Sequence, residues 1–264
     1  MAYQPGGDDK EGCYRGTNSV PRQGADERTL HVGVTEGDIA QRIVTCGTPE
    51  RARAVAAAFD GGVIEREVSS ARGFLTLTGK CNGVPVSVVA TGMGVAMMDF
   101  MVREVLAVLP EAAADGGGAQ PPKRARTDGN GQPAATAARA LIVRFGTCGS
   151  IREDVPAGAI VVCTPGSTMV RREPDAFEPS GSVRAGKAPY HVCDVVPSDA
   201  ALSAALEAEL KAGLGADGSV VGALNASGCS FYSSQVIAID CLSLLLIATG
   251  YSIYASHVIA IDCF

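Results

Sequence analysis

Three short stretches of the chain place glycines where backbone amides could meet an anion. Glycine lets N–H groups approach a charged oxygen closely, and a helix that begins just after such a stretch adds a favourable dipole. The TGMG of the second stretch fits neither the Walker phosphate loop nor the dinucleotide fingerprint. The three stretches are CGTPER (46–51), ATGMGVA (90–96) and RFGTCGS (144–150).

Three arginines, Arg51, Arg72 and Arg144, accompany these stretches. Guanidinium groups form charge-assisted hydrogen bonds with phosphate, so the pattern predicts one phosphate held by several donors. The alternative is three tight turns with solvated arginines. Arg144 argues against that alternative, because it interrupts a strand predicted to be buried, where an unpaired charge would be unfavourable.

The composition is that of a folded protein with a sizeable core. Of the 264 residues, 47% are hydrophobic and 19% are charged. The formal net charge of −6 argues against nucleic acid as a partner, although a few arginines in one pocket still permit a small anionic substrate.

Nine cysteines without C-x-x-C spacing and three dispersed histidines predict free thiols and no metal site. The N-terminus has no apolar core of the signal-peptide type, so we expect a cytoplasmic protein.

Strand and helix patterns alternate in the first half of the chain. Residues 1–29 predict a mobile extension, and RIVTC (42–46) predicts a strand followed by a helix with Pro49 in its first turn. Asn82-Gly83 predicts a hairpin turn between two strands. Residues 95–109 carry apolar side chains at helical spacing.

Residues 111–138 interrupt this pattern with glycine, proline and small polar residues, and predict a long surface insertion. Within it, PPKRARTD (121–128) resembles a short nuclear-import signal. Such basic clusters are also common in solvated loops.

The second half continues the alternation. Residues 140–146 and 158–165 predict buried strands, a helix follows with Ser198 as its candidate N-cap, and residues 219–227 predict the next strand. Strands that alternate with helices indicate an α/β protein, in which ligands gather at the carboxyl ends of strands.

Four motifs in order resemble the nucleoside phosphorylase family, which includes uridine phosphorylases and hexameric purine nucleoside phosphorylases. The resemblance covers residues 31–235 apart from the insertion, and implies a single-domain three-layer α/β fold with a central mixed sheet flanked by helices. The motifs are HVGVTEGDI with IVTCGTPERARAVAAAFD, RGFLTLTGKCNGVPVSVVATGMG, VRFGTCGSIREDVPAGAIVV and NASGCSFYSSQ.

The resemblance implies the residues of a phosphate site. Gly47 and Arg51 match the family's first loop, and Arg144 and Thr147 match its strand-end arginine and threonine. Arg72 matches an arginine that the neighbouring subunit contributes.

His31 matches the N-terminal histidine that crosses the same interface to the ribose 5′-hydroxyl. The resemblance therefore implies a homodimer or a higher oligomer. It also implies inorganic phosphate as co-substrate, with no cofactor. From the residues alone, His31 would be a surface histidine at the start of the ordered chain.

The base pocket of the uridine branch carries an FYxxQxR pattern. Phe231, Tyr232 and Gln235 match it, whereas Ile237 replaces the arginine. A side-chain amide offers both a donor and an acceptor to a pyrimidine edge, which favours uridine over a purine nucleoside. The alternative is an aromatic pair that closes a core, with Gln235 in an ordinary loop.

The resemblance implies that catalysis is electrostatic. Arginines hold phosphate beneath the anomeric carbon, and hydrogen-bond donors at the base stabilise the charge that develops on the leaving uracil. Such catalysis needs no nucleophilic side chain. We therefore predict that Cys148 packs rather than attacks.

The resemblance ends at Gln235, and residues 236–264 form an atypical apolar tail without the family's ribose-binding Met-Glu segment. Three interpretations are open: a membrane span over 241–261, two β-rich segments that replace lost strands, or a truncated or misassembled coding sequence. We favour the third, since SQVIAIDC at 234–241 nearly repeats as SHVIAIDC at 256–263. An impaired chain that only binds phosphate or another subunit is then the alternative to an active enzyme.

Overall fold

The chain divides into two compact units, residues 1–142 and residues 143–264, which are described in turn. The structure is a computed structural model. It describes residues 20, 22–110, 140–152, 154–177, 188–215, 218–229 and 258–263.

The first unit is built on four strands in the order β3-β6-β5-β4. Strands β3 and β6 run parallel, while β5 is antiparallel to both of its neighbours, so this is a mixed sheet. The short strands β1 and β2 pair antiparallel with each other. The elements are β1 (Arg22–Gln23), β2 (Arg28–Thr29), β3 (Arg42–Cys46), α1 (Pro49–Ala56), β4 (Ile64–Ser69), β5 (Leu75–Cys81), β6 (Val84–Ala90) and α2 (Val95–Val108).

The hairpin between β5 and β6 turns at Asn82 and Gly83, which have φ angles of 50° and 74°. Left-handed values at both positions are those of a type I′ turn, which suits the twist of the flanking strands. The Asp60 carboxylate accepts hydrogen bonds from the Asn82 and Gly83 amides at 2.8 and 2.7 Å. The predicted hairpin is confirmed.

The core of the first unit lies between the sheet, helix α2 and the segment 32–39. Helix α2 buries one stripe of its surface and leaves the other face exposed, as its apolar spacing predicts. The buried core side chains are Val32, Val34, Ile39, Ile43, Phe74, Val89, Met101, Val105, Val108, Leu109 and Ile142.

The second unit contains two sheets. In one, the order is β11-β8-β13-β7, with β8 parallel to β11 and β13, and β13 antiparallel to β7. In the other, β9 lies between β10 and β12. The elements are β7 (Leu141–Cys148), β8 (Ile160–Val162), β9 (Ser167–Arg172), β10 (Tyr190–Val192), α3 (Ala200–Leu214), β11 (Val220–Gly222), β12 (Asn225–Gly228) and β13 (Val258–Cys263).

The predicted α/β class, with mixed sheets and flanking helices, is confirmed, and so are β3, α1 with Pro49 in its first turn, and α2. Among the residues that the structure describes, regular structure begins at β1, within the predicted extension 1–29. The insertion 111–138 lies outside the described residues, and the domain limits at residues 30 and 235 remain predictions.

Two local predictions in the second unit are wrong. Asp199, rather than Ser198, caps helix α3, because its carboxylate accepts from the Leu202 amide at 2.8 Å. The Ser198 hydroxyl instead donates to the Cys163 carbonyl at 2.7 Å. The single strand predicted over 219–227 is two strands, because β11 pairs with β8 whereas β12 pairs with β9 of the other sheet.

The buried strand predicted over 140–146 exists as β7, but Ile142 is its only fully buried residue. Arg144 is half-buried, so its charge keeps partial access to water. This weakens the burial argument for a phosphate role at Arg144, because a partly hydrated guanidinium is less unfavourable than a buried one.

Part of the apolar tail is a strand. Within residues 258–263, β13 pairs with β7 and β8, which agrees with the β-rich interpretation for this segment. Residues 236–257 lie outside the described residues. Among the helices that the structure describes, none is long and apolar enough to cross a membrane.

Candidate active site

Two of the glycine-bearing loops follow strands that end at the same edge of the sheet of the first unit. Strands β3 and β6 are parallel and in register, with Cys46 opposite Ala90. Beyond them, Thr91 donates to the Cys46 carbonyl through its amide at 2.9 Å and its hydroxyl at 3.2 Å. The loops 47–48 and 91–94 therefore lie side by side, and each leads into a helix.

The first of these loops positions two predicted phosphate ligands. Thr48 caps helix α1, and its hydroxyl accepts from the Arg51 amide at 3.3 Å. Gly47 precedes the cap, and Arg51 lies half-buried in the first helical turn. The backbone amides at the start of α1 and the positive end of its dipole thus lie near Arg51, an arrangement that favours the binding of an anion.

Arg72 lies on an exposed turn between β4 and β5. The turn closes through a bond from the Gly73 amide to the Ser70 carbonyl at 3.1 Å. The Ser70 hydroxyl accepts from the Arg72 and Phe74 amides at 3.2 and 3.1 Å. These bonds fix the backbone of the turn at Arg72. A residue that binds an anion or another subunit needs such a fixed backbone.

The segment that carries His31 packs against this turn. Gly33 has φ 76°, and a Cβ added there would lie 3.1 Å from the Cβ of Ser70. The two segments line one open groove. The structure thus brings together the segments that bear His31 and Arg72, the two residues for which the resemblance implies a role across an interface.

The His31 ring is held by helix α2. Its Nδ1 lies 2.6 Å from Oε1 of Glu104, and the ring stacks on Phe100 with centroids 3.8 Å apart. The Glu104 carboxylate, 2% exposed, also accepts from the His31 amide at 3.0 Å and the Val32 amide at 2.7 Å. The His31 side chain is 21% exposed and lies against α2.

A second buried carboxylate fixes the same segment a few residues later. Asp38 accepts from Arg28 at 2.8 Å, from the Thr35 amide at 3.0 Å and from Arg66 at 2.7 Å. Burial acts to raise the pKa of Asp38, but the hydrogen bonds from Arg66 and Thr35 and the charge of Arg28 outweigh it and leave the pKa below its ordinary value. Asp38 is therefore an ionised carboxylate with a structural role, which links strands β2 and β4 to the segment that carries His31.

In the second unit, strand β7 carries the other two predicted phosphate ligands. Arg144 is half-buried, and Thr147 is exposed near the carboxyl end of the strand. Across β7 the backbone of β13 runs antiparallel, with Asp262 in register with Arg144 and Ile259 in register with Thr147.

Burial raises the pKa of the Cys148 thiol, so the reactive thiolate is disfavoured there. Cys148 packs against the small apolar cluster of Val155, Ala159 and Val161. Both observations agree with a packing role.

The predicted base-pocket residues Phe231 and Gln235 lie outside the described residues, as do Tyr232 and Ile237. Within the described ranges, no three His, Cys, Asp or Glu side chains gather in a way that could hold a metal ion.

The sequence patterns do not predict the roles of Glu104 and Asp38. A signal for Glu104 was present, since residues 101, 105 and 108 are buried positions of α2 and Glu104 lies on the same face. A carboxylate at a core position of an amphipathic helix requires a partner. The partner itself, 73 residues away, is not visible in the pattern.

Comparison with known proteins identifies the family to which the chain belongs. Residues 41–250 match the family model of the phosphorylase superfamily. A curated relative, the DeoD-type purine nucleoside phosphorylase of Geobacillus kaustophilus, is 30% identical over 141 residues, which cover 53% of this chain and 47% of that protein. The chain thus spans about half the length of this relative.

Solved structures show the same fold. One comes from work on two uridine phosphorylases of the oomycete Phytophthora capsici; it is 36% identical, with a TM-score of 0.66, and the match covers 90% of this chain and 83% of that one. A Trypanosoma brucei nucleoside phosphorylase with uridine phosphorylase activity is 22% identical, with a TM-score of 0.56 and coverage of 78% and 68%. At that identity the second likeness concerns the fold alone.

Proposed function

The chain belongs to the phosphorylase superfamily, among the nucleoside phosphorylases, and on that premise we propose that it cleaves uridine with phosphate to give uracil and ribose 1-phosphate. The observation that carries the choice of uridine is the 36% identity to a uridine phosphorylase structure over 90% of this chain. The Phe231, Tyr232 and Gln235 pattern in the sequence supports the same choice.

In the proposed reaction, a phosphate oxygen bonds to the anomeric carbon of the ribose. The C1′–N1 bond breaks, its electron pair stays on the uracil nitrogen, and the proton that hydrogen phosphate gives up on forming the ester is taken up by the base. Because the attacking group is already an anion, the protein has only to position it and to stabilise the charge on the base. The proposed phosphate ligands within the chain are Gly47, Arg51, Arg144 and Thr147.

The proposal includes a homo-oligomer. His31 and Arg72 lie on segments that pack together beside one open groove. A second copy at this groove would receive both side chains at its own site, His31 at the ribose and Arg72 at the phosphate. A fully active monomer would contradict this part of the proposal.

The test is uracil release from uridine by the purified chain, with and without phosphate. Replacement of Arg51 by Gln removes a charge-assisted contact worth roughly 1.5–3 kcal/mol, so KM for phosphate should rise about 10- to 100-fold. The matched control is Arg42→Gln, an exposed arginine at the opposite end of β3. Equal effects of the two substitutions would contradict the assignment of Arg51.

A purine nucleoside is the second candidate, favoured by the 30% identity to the purine nucleoside phosphorylase. Inosine in place of uridine decides between them. A folded chain that binds phosphate and cleaves neither nucleoside would instead support the phosphate-binding alternative. Replacement of the expected base-pocket arginine by Ile237 is the sequence feature that favours it.

A further inference from the structure

The His31 ring has a defined orientation because two side chains of helix α2 hold it. Phe100 stacks on one face, with an angle of 7° between the ring planes. One helical turn later, Oε1 of Glu104 lies 2.6 Å from Nδ1. The ring can neither tilt away from Phe100 nor flip without losing the Glu104 contact, so its other nitrogen, Nε2, has a fixed direction.

The hydrogen positions around Glu104 follow from its partners. The His31 and Val32 amides are obligatory donors, and they lie 2.7–3.0 Å from the two carboxylate oxygens. Both oxygens are thus acceptors, and an ionised carboxylate has no hydrogen to give to Nδ1. The short Nδ1 contact therefore places the ring hydrogen on Nδ1, which leaves Nε2 as an acceptor when the ring is neutral.

We propose that Glu104 is a positioning residue that fixes the orientation and tautomer of His31, so that Nε2 accepts the hydrogen of the ribose 5′-hydroxyl. This inference rests on the proposed function, because it takes the nucleoside as the ligand of His31. It assigns the selectivity for a free 5′-hydroxyl to a residue that does not touch the substrate.

An acceptor at Nε2 predicts which nucleosides the site prefers. A 5′-hydroxyl can donate to Nε2, whereas the fluorine of 5′-deoxy-5′-fluorouridine cannot. Loss of one such hydrogen bond corresponds to a decrease of about 3- to 10-fold in kcat/KM for the fluorinated nucleoside.

Glu104→Gln tests this role with little change in shape. Two buried amides still need an acceptor, so the amide oxygen of the glutamine should take the position nearer Val32 and its NH2 group should face Nδ1. The NH2 group can only donate, so the ring hydrogen should move to Nε2. Nε2–H can still donate to the oxygen of the 5′-hydroxyl, but it can also donate, more weakly, to fluorine, which the lone pair of Nε2 in the wild type only repels. The preference for uridine over 5′-deoxy-5′-fluorouridine should therefore fall about 2- to 3-fold.

The experiment measures that preference as a ratio of kcat/KM values in four proteins: wild type, Glu104→Gln, His31→Ala and the double variant. In the His31→Ala background the ratio should already be low, and Glu104→Gln should leave it unchanged. An unchanged ratio in Glu104→Gln alone, or a further change in the double variant, would overturn the proposal. A merely structural role would alter the activity on both nucleosides together.

An NMR measurement on the wild-type chain tests the tautomer without a variant or turnover. Long-range 15N–1H spectra of histidine-labelled protein at pH 8 should show the hydrogen of His31 on Nδ1. Comparison with His31→Ala assigns the signal among the three histidines. A hydrogen on Nε2 would overturn the proposal, whereas absence of phosphorolysis with an Nδ1–H signal would refute the proposed function alone.

Discussion

Asp38 holds the segment between β2 and β3 through three donors, and its replacement by asparagine would test how much that arrangement stabilises the first unit. The side chain is 1% exposed, whereas its partners Arg28 and Arg66 are 40% and 54% exposed. In the Asp38→Asn variant the side chain keeps one acceptor oxygen, which can serve Arg28 and the Thr35 amide together, because both contact the same Asp38 oxygen. The NH2 group of the new side chain would then face Arg66, a donor.

The expected loss is one charge-assisted hydrogen bond and part of an ion pair. Removing one partner of a fully buried pair costs about 3–5 kcal/mol. Here the arginines can turn to water, so we expect a decrease of roughly 1.5–3 kcal/mol in the free energy of unfolding at pH 7, the range for a hydrogen bond to a charged group. Urea denaturation followed by circular dichroism measures it.

The pH dependence has a definite sign. The pKa of Asp38 is lower in the folded chain than in the unfolded one, so its charge stabilises the fold above the unfolded pKa. The difference between wild type and Asp38→Asn should therefore stay constant from pH 7 to about pH 5 and shrink below about pH 4, as the folded pKa is approached. A difference that persists unchanged in acid would refute the electrostatic explanation.

Glu67→Gln is the matched control, since it makes the same chemical change in an exposed ion pair with Arg53. Salt and solvent screen such a pair, and we expect no change in stability beyond experimental error. A loss as large as that of Asp38→Asn would show that the burial of Asp38 is not what matters.

Three further predictions concern single positions. Gly83→Ala should destabilise the chain by about 1–2 kcal/mol in thermal denaturation, because Gly83 has φ 74°, and an unchanged Tm would contradict the turn geometry. Asp199→Ala should lower stability by about 1 kcal/mol in urea through loss of the α3 cap, whereas capping by another group would leave it unaltered. Cys148 should react with iodoacetamide more slowly than the exposed Cys229 at pH 8, because burial raises the pKa of the Cys148 thiol. Mass spectrometry of the labelled peptides measures both rates, and faster labelling of Cys148 would count against a packing role.

The sequence predicted best those features that depend on neighbouring residues. The Asn82-Gly83 turn, the proline at the start of α1 and the apolar stripe of α2 each follow from local backbone or periodic constraints, and each is found. The predicted cap of α3 is one residue too early, because serine and aspartate are both good caps. The structure differs because the Ser198 hydroxyl donates to the Cys163 carbonyl, while Asp199 accepts from the Leu202 amide.

Features that depend on distant partners could not be predicted in this way. The pattern of residues 219–227 predicts one strand. In the structure this segment forms two strands, because β11 pairs with β8 and β12 pairs with β9 of a different sheet. The roles of Glu104 and Asp38 likewise arise from partners elsewhere in the chain. Local patterns pointed to Arg51, Arg72 and Arg144 as phosphate ligands, and the resemblance added Thr147 and the assignment of Arg72 to a neighbouring subunit. The roles of these residues remain proposals.

Transfer of ribose to phosphate rather than to water distinguishes a phosphorylase from a hydrolase, and 31P NMR of the purified chain with uridine and inorganic phosphate measures it. We expect a new ribose 1-phosphate signal that grows in step with free uracil, as inorganic phosphate declines. Uracil release without that signal would mean hydrolysis. If a folded chain forms neither product, and inosine is equally inert, nucleoside phosphorolysis is refuted as the function of this chain.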